Sequence, residues 1–482
     1  MGCPHFGSCG GCDCQDLTYE EQLLKKEREV FALLFNVVQN KSCIYEKAAE
    51  SPLHSGYRNK MEYTFGNERK DGPLTLGLHR RKSFFDILPV TECNIVDADF
   101  RRILSATTDY FREREIPFFH RKGHTGYLRH LLVRKAAHTG EILVDLVTTW
   151  NGKRPQERYG DKRDFPVDRC FVPDEEALLA GYADALQALP FDGTLCGILH
   201  TRNDSMADVI RDEGTELLYG REYFFEELLS LRFRITPFSF FQTNSLGAET
   251  LYSVVREYVL AAGGSTSAAS LESDGGAASL KPGSDAASLK PGSDAASLTS
   301  GQPGKDSVRF GNVYDLYSGT GTIAQLLAPV AAHVTGVEIV EEAVAAARRN
   351  AEENGLSNCT FHAGDVLKVL DELIELPDLI VLDPPRDGVQ PKALSKILQY
   401  GVPHIIYVSC KPASLARDLV PIQEAGYRVD RVRCVDMFPF TTHVETVCLL
   451  SNRKPDARVK IDVDLEDYYR IKDEQKKNKA SE

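Results

Sequence analysis

The run His404-Ile405-Ile406-Tyr407-Val408-Ser409 is mostly apolar, ends in Cys410 and gives way to Lys411-Pro412. A thiol where a buried strand meets its loop, at the carboxyl edge of an α/β sheet, lies where ligands bind and where a nucleophile is useful. Glu445, in Thr441-Thr442-His443-Val444-Glu445-Thr446-Val447, begins a later apolar run that is expected to return beside the Cys410 strand. One thiol and one base in a single pocket answer a particular problem in pyrimidine chemistry. Carbon 5 of the ring is a poor nucleophile, but a thiolate added to carbon 6 moves electron density onto carbon 5, which can then attack a methyl sulfonium. A base must afterwards remove the carbon 5 proton so that the thiol can leave. Cys410 is the candidate nucleophile and Glu445 the candidate base.

A methyl sulfonium implies S-adenosylmethionine, and the preceding segment has the features of its site. Asp315-Leu316-Tyr317-Ser318-Gly319-Thr320-Gly321-Thr322 follows a predicted strand and opens a predicted helix, with glycines that let the backbone approach a ligand. Glu338 ends the next strand, where a carboxylate can accept both ribose hydroxyls. Asp365, after Gly364, ends the third, within reach of an adenine edge. With no pyrophosphate to hold, such a site does not need the third glycine of the dinucleotide fingerprint. Asp383-Pro384-Pro385-Arg386 closes the fourth strand, and its prolines stiffen the loop that aims the Asp383 carboxylate. Methylation of an amino group on a base would favour an aromatic residue after the two prolines. Arg386 stands there instead, which disfavours that chemistry.

A second cluster lies near residue 1. Cys3, Cys9 and Cys12 share a short glycine-containing loop that can fold around a metal, and Cys93 is the expected fourth ligand, with His5 and Cys14 as substitutes. All-thiolate ligation suits zinc or an iron–sulfur cluster. Twelve cysteines in a chain with no secretory signal point to metal or catalysis rather than disulfides. Cys43, Cys170, Cys196, Cys359, Cys434 and Cys448 have no ligand spacing and read as packing residues.

The elements that must position these groups follow from periodicity. A chain of 482 residues exceeds one core and is expected to hold two or three domains. Residues 1–42 read as the cysteine loop and a helix over Leu17–Leu34. Residues 43–243 show short alternating runs such as Lys60–Phe65 and Glu141–Val147, strand signals interrupted by one helix over Pro173–Leu189. After residue 244 a helix over Ala248–Ala262 precedes residues 263–307, where Ala-Ala-Ser-Leu recurs with a period of nine. Those repeats lack anchors for a core and read as a flexible insert. From Val313, strands alternate with helices, including Ile323–Ala332, which predicts a parallel doubly wound sheet through residue 453. Residues 454–482 read as a charged tail.

The net charge of −13 argues against indiscriminate nucleic-acid binding. Residues 55–135, however, hold 16 Lys and Arg against 10 Asp and Glu, a local excess of +6 that can meet phosphates. No apolar run approaches the ~20 residues of a membrane span, and a cytoplasmic protein is expected.

The segments Asp315–Thr322, Asp383–Gly388, Val408–Pro412 and Phe438–Val447 resemble those of the RNA 5-methyluridine methyltransferases. The similarity extends into Tyr57–Glu62 and Ile235–Asn244, covering most of residues 1–450 outside the repeats. This resemblance implies an α/β fold with a C-terminal Rossmann-like methyltransferase domain, a mostly β central RNA-binding domain and a small N-terminal cysteine-cluster segment. It implies that Cys410 is the nucleophile, that Glu445 is the proton acceptor, and that Gln242, Tyr317, Glu338, Asp365 and Asp383 line the cofactor or the base. Thr322 occupies a Gly-loop position that is commonly Asn in the family. The ribosomal-RNA branch carries the cysteine pattern and a [4Fe-4S] cluster, which favours iron over zinc and 23S ribosomal RNA over transfer RNA. Some members add a β-barrel RNA-binding domain before the cysteines, and none is expected here. RNA would then meet the central domain, with Arg58, Lys60, Arg80, Arg81, Lys82, Arg129 and Arg134 as phosphate contacts. Phe238, Phe240 or Phe241 would stack on an extruded base, with at least two of the three expected to pack instead. The rival readings are a transfer-RNA uracil-5 methyltransferase and a catalytically silent RNA-binding assembly factor. A monomer is expected, with no protein partner.

Overall fold

The computed structural model describes residues 2–151, 172–205, 209–264 and 309–453. The repeat insert, the charged tail and Cys170 therefore lie outside the described residues, apart from Gly263 and Gly264. The first part of the chain runs α1 (Tyr19–Phe35), β1 (Ile44–Ala49), β2 (Lys60–Gly66), β3 (Thr75–His79), β4 (Ile87–Leu88), α2 (Ala98–Glu113), β5 (Leu128–Lys135) and β6 (Glu141–Thr148). It continues through α3 (Glu175–Gln187), β7 (Thr194–Arg202), β8 (Thr215–Gly220), β9 (Phe224–Leu228), β10 (Leu231–Ile235) and α4 (Ser245–Gly264). Then come β11 (Phe310–Leu316), α5 (Thr322–Leu327), β12 (Ala331–Glu338), α6 (Glu341–Glu353), β13 (Cys359–Ala363), α7 (Val366–Glu372) and β14 (Leu379–Leu382). Last are α8 (Pro391–Gln399), β15 (His404–Ser409), α9 (Pro412–Glu424), β16 (Tyr427–Val435) and β17 (Glu445–Asn452).

The larger sheet has the order β1-β16-β17-β15-β14-β11-β12-β13. Only β17 runs against its neighbours. Strands such as β15, whose Ile405, Ile406, Tyr407 and Val408 are all 0% exposed, are covered on both faces, as parallel strands flanked by helices must be. Chain order reverses on either side of β11, which pairs with β12 and β14. Such a reversal opens a crevice at the carboxyl ends of these strands, and the loops carrying Tyr317 and Asp383 both emerge there.

Residues 60–220 supply the second sheet, β4-β3-β2-β5-β6-β7-β8, with α2 and α3 packed on it. Two features here differ from the sequence expectation. Helix α2 falls where only strands were predicted. Asp97 caps it by accepting from Asp99 N and Phe100 N, and Phe100, Ile103, Leu104, Thr107 and Phe111 form its buried stripe. Strand β1, within the stretch assigned to the central region, pairs instead with β16 in the larger sheet. A third difference concerns α5, which stops at Leu327 rather than continuing to residue 332. Residues 328–330 form a single 3-10 turn containing Pro329, and β12 starts at Ala331.

Helix α1 starts at a capping box in which Thr18 accepts from Glu21 N and Glu21 accepts from Thr18 N. Its apolar face, Leu23, Val30 and Leu34, joins the core under β15 and α9. Among the described residues no helix is long and apolar enough to cross a membrane.

Candidate active site

Register brings the two candidate catalytic groups together. β15 and β17 pair antiparallel, with Ser409 opposite Thr446, so Cys410 and Glu445 are the next residues out on adjoining strands. Cys410 is half-buried and Glu445 is buried at 6% exposure. Burial pushes the Glu445 carboxyl up to about 8, with the Asp383 charge adding to the rise and Arg386 opposing it. Burial also raises the Cys410 thiol, as do the charges of Glu445 and Asp383, while Arg386 lowers it. Asp383 itself is pushed up to about 7 by burial. Proline-rich geometry fixes it at the end of β14, where its N–H donates to Leu316 O. A cleft of ≈ 260 Å³ opens onto Cys410, lined by Lys26, Lys411, Thr442 and His443 among others.

The Gly loop lies at the end of β11. Gly319 and Gly321 have φ of 54° and 74°, and Tyr317 takes φ 68°, a region that costs a side-chain-bearing residue about 1–3 kcal/mol and concentrates at ligand sites. A Cβ on Gly321 would lie 2.6 Å from the Phe361 ring, whereas one on Gly319 would meet nothing nearer than Phe240 at 3.9 Å. The loop is thus packed behind and open in front. Glu338 accepts from Gly319 N at 3.1 Å and Val340 N at 2.9 Å, which holds its carboxylate beside the loop. Ser318 Oγ and Asp315 Oδ1 are buried without partners. Asp315, whose other oxygen accepts from Ala324 N, is raised to about 8 by burial and then by Asp383. Asp365 caps α7 and lies close enough to Tyr317 to raise its phenol, after burial, to about 12. Thr322, the first residue of α5, is buried.

Gln242 arrives from the loop after β10. Its carbonyl accepts from Asn59 Nδ2, and its side chain lies close enough to Tyr252 to lower the phenol against the effect of burial. Tyr252 was missed in the sequence because a helical tyrosine among apolar residues reads as core. Its phenol is buried and faces Asp383, Asp315 and Glu445, which raise it further.

Residues 310–433 match a family model described as a methyltransferase domain. An uncharacterized RNA methyltransferase of Clostridium tetani is 42% identical over 445 residues, 92% of this chain and 82% of its own length. Another, from Caldanaerobacter subterraneus, is 43% identical over 448 residues, with 93% and 84% covered. The chain belongs to this family of RNA methyltransferases. Among solved structures, the Pyrococcus abyssi tRNA (uracil-54, C5)-methyltransferase in complex with S-adenosyl-L-homocysteine superposes with a TM-score of 0.62 at 25% identity. The match spans 92% of this chain and 86% of that one.

In this methyltransferase the cysteine loop joins both sheets. Cys9 bridges Arg80 beside β3, while Asp13 N and Cys14 N donate to Phe440 O in the turn before β17. Among the described residues no three His, Cys, Asp or Glu side chains close around a single ion, yet Cys9, Cys12 and Cys93 each feel the charge of neighbouring cysteines. Cys12 is raised to about 11 by burial and then by Cys93, Cys9 and Cys3. Cys93 is raised by burial and by Cys3 and Cys9, against N–H donors at Ile95 and Val96. Gly11 N lies 3.3 Å from Cys9 Sγ, and Gln15 Nε2 lies 3.6 Å from Cys12 Sγ. Four thiols sharing one partly buried place with N–H donors aimed at them fit a thiolate-bound cluster.

Two expected phosphate contacts are instead internal clamps. Arg129 is 3% exposed and donates to Asn203 O and Ser205 O. Arg134 is 2% exposed and donates to Pro237 O and Ser239 O, so it fixes the turn that presents the phenylalanines. Of these, Phe241 is buried, but Phe238 and Phe240 are 40% and 69% exposed. Only one of the three packs, not two.

Proposed function

We propose that the enzyme methylates carbon 5 of a uracil in 23S ribosomal RNA through covalent addition of Cys410, working as a cytoplasmic monomer. The observation that carries this reading is the β15–β17 register, which supports a thiol and a carboxylate acting on one ring. Cys410 Sγ, as thiolate, bonds carbon 6 and drives the ring electrons toward carbon 5. When bound, S-adenosylmethionine supplies the methyl group to that carbon. Glu445, in its ionised form, takes the carbon 5 proton, the electrons return, and the carbon 6–sulfur bond breaks to restore thiolate and the methylated uracil. Gln242, Tyr317, Thr322, Glu338, Asp365 and Asp383 hold cofactor and base, with Phe240 over the Gly loop available to stack on an extruded base. Cys3, Cys9, Cys12 and Cys93 would hold a [4Fe-4S] cluster that secures the N-terminal loop. We assign residues 1–42 to the cluster segment, 43–243 to RNA binding, 244–453 to methyl transfer and 454–482 to a tail, with β1 contributed to the transfer domain's sheet.

Transfer RNA is a second reading, favoured by the substrate of the Pyrococcus abyssi neighbour. Methylation of purified 23S ribosomal RNA and of transfer RNA lacking 5-methyluridine separates the two. Label in ribosomal RNA alone supports the first reading, and label in transfer RNA alone supports the second. Cys410→Ala should abolish transfer by at least about a thousandfold while S-adenosylhomocysteine still binds. Retained turnover would exclude covalent addition.

A further inference from the structure

Two large apolar side chains stand at the surface of the central sheet with no core to explain them. Phe84 and Phe85, at the tip between β3 and β4, are 78% and 58% exposed. They line a recess of ≈ 420 Å³ together with Thr64–Gly66 of β2 and the loop of residues 118–122. This recess shares no lining residue with the cleft at Cys410 and is the larger of the two. It lies in the region of net positive charge. Lys70 and Lys122 are exposed on its rim, and the Lys122 ammonium sits 5.0 Å from the centre of the Phe85 ring. The Phe118 and His120 rings, which also line it, meet at 4.2 Å. Asp71 and Asp86 also line it, the latter 3.9 Å from Arg80.

The wall is built rather than loose. Arg80 N donates to Asp86 O, Ile87 N to Asn67 O and Arg81 N to Ser8 O, and Arg81 pairs with Asp13 of the cysteine loop. Exposed aromatic faces beside ammonium groups, in a preformed recess of ligand size, are what an unstacked nucleotide requires.

We propose that this recess holds one unstacked nucleotide of the substrate RNA, away from the uracil being methylated, with its base against Phe84 and Phe85 and its phosphate on Lys70 and Lys122. The inference rests on RNA as substrate but on neither the Cys410 chemistry nor the choice of ribosomal RNA. The test is anisotropy of a short fluorescein-labelled single-stranded RNA with the full chain. The pair Phe84→Ala and Phe85→Ala should weaken binding by about tenfold or more, and raise KM for RNA with kcat unchanged. Lys122→Gln should cut the slope of log affinity against log salt by about 0.7. On the unaltered protein, RNA carrying 5-iodouridine should crosslink under irradiation to the peptide containing Phe84 and Phe85, which needs no variant to fold. Equal affinity of the double variant, with no crosslink in that peptide, overturns the recess alone. Failure of the unaltered protein to bind RNA overturns the recess and the substrate reading together.

Discussion

Glu445 carries a carboxyl that burial holds protonated up to about 8, against about 4.3 for an exposed glutamate. The folded state therefore binds this proton more tightly than the unfolded chain does. The stability it contributes is fully present below pH ~4.3 and is lost as pH rises toward 8. Glu445→Gln removes that loss. The variant should melt above the unaltered protein at pH 8, by an amount on the order of a few kcal/mol, and alongside it near pH 4, as read by thermal denaturation at both values. The same substitution removes a negative neighbour of Cys410. Its alkylation by iodoacetamide should then titrate at lower pH than in the unaltered protein. An unchanged profile would mean that the two side chains do not interact. This pair was legible in the sequence because Cys410 closes one apolar run and Glu445 opens another. Tyr252 was not, because its position beside three acids is a product of helix packing.

What holds Glu445 in place is the turn of residues 438–441 between β16 and β17. Lys26 Nζ lies 2.7 Å from Asp436 and 3.0 Å from Phe438 O, with both side chains of the ion pair almost fully buried. Gln22 accepts from Phe440 N, and Tyr57 donates to Pro439 O. Removing one member of a buried pair strands the other charge. Lys26→Ala should therefore cost about 3–5 kcal/mol in urea denaturation and lower kcat as the turn loosens. The alternation of strands and helices after β11 was legible because strands such as β14 and β15 are nearly continuous apolar runs, set apart by helical segments. Helix α2 carries an intact stripe at Phe100, Ile103, Leu104, Thr107 and Phe111 and was passed over because its surroundings alternate as strands do, whereas the place of strand β1 was hidden because its partner β16 lies far along the chain. Arg129 and Arg134 read as surface cations, since nothing local reveals that carbonyls from distant loops meet them.

Across the whole molecule the cysteine loop straps the basic hairpin to the turn before Glu445, through Arg80 and Arg81 on one side and Phe440 on the other. Replacing two of the proposed ligands together, Cys9→Ser with Cys12→Ser, should remove iron from anaerobically purified protein, lower its melting temperature and raise KM for RNA. Zinc without iron in the unaltered protein would overturn the cluster assignment. The sequence showed three of these cysteines as a group, while the strap itself depends on backbone contacts that no motif encodes. Covalent catalysis as proposed requires a transient bond between Cys410 and the substrate. Its most direct test is denaturing electrophoresis and mass spectrometry of Glu445→Gln protein incubated with S-adenosylmethionine and 23S ribosomal RNA. A slow-migrating adduct is expected in which Cys410 is joined to a methylated uracil, absent when Cys410 is also replaced by Ala. Free turnover without adduct, or a linkage at another residue, would contradict covalent catalysis by Cys410.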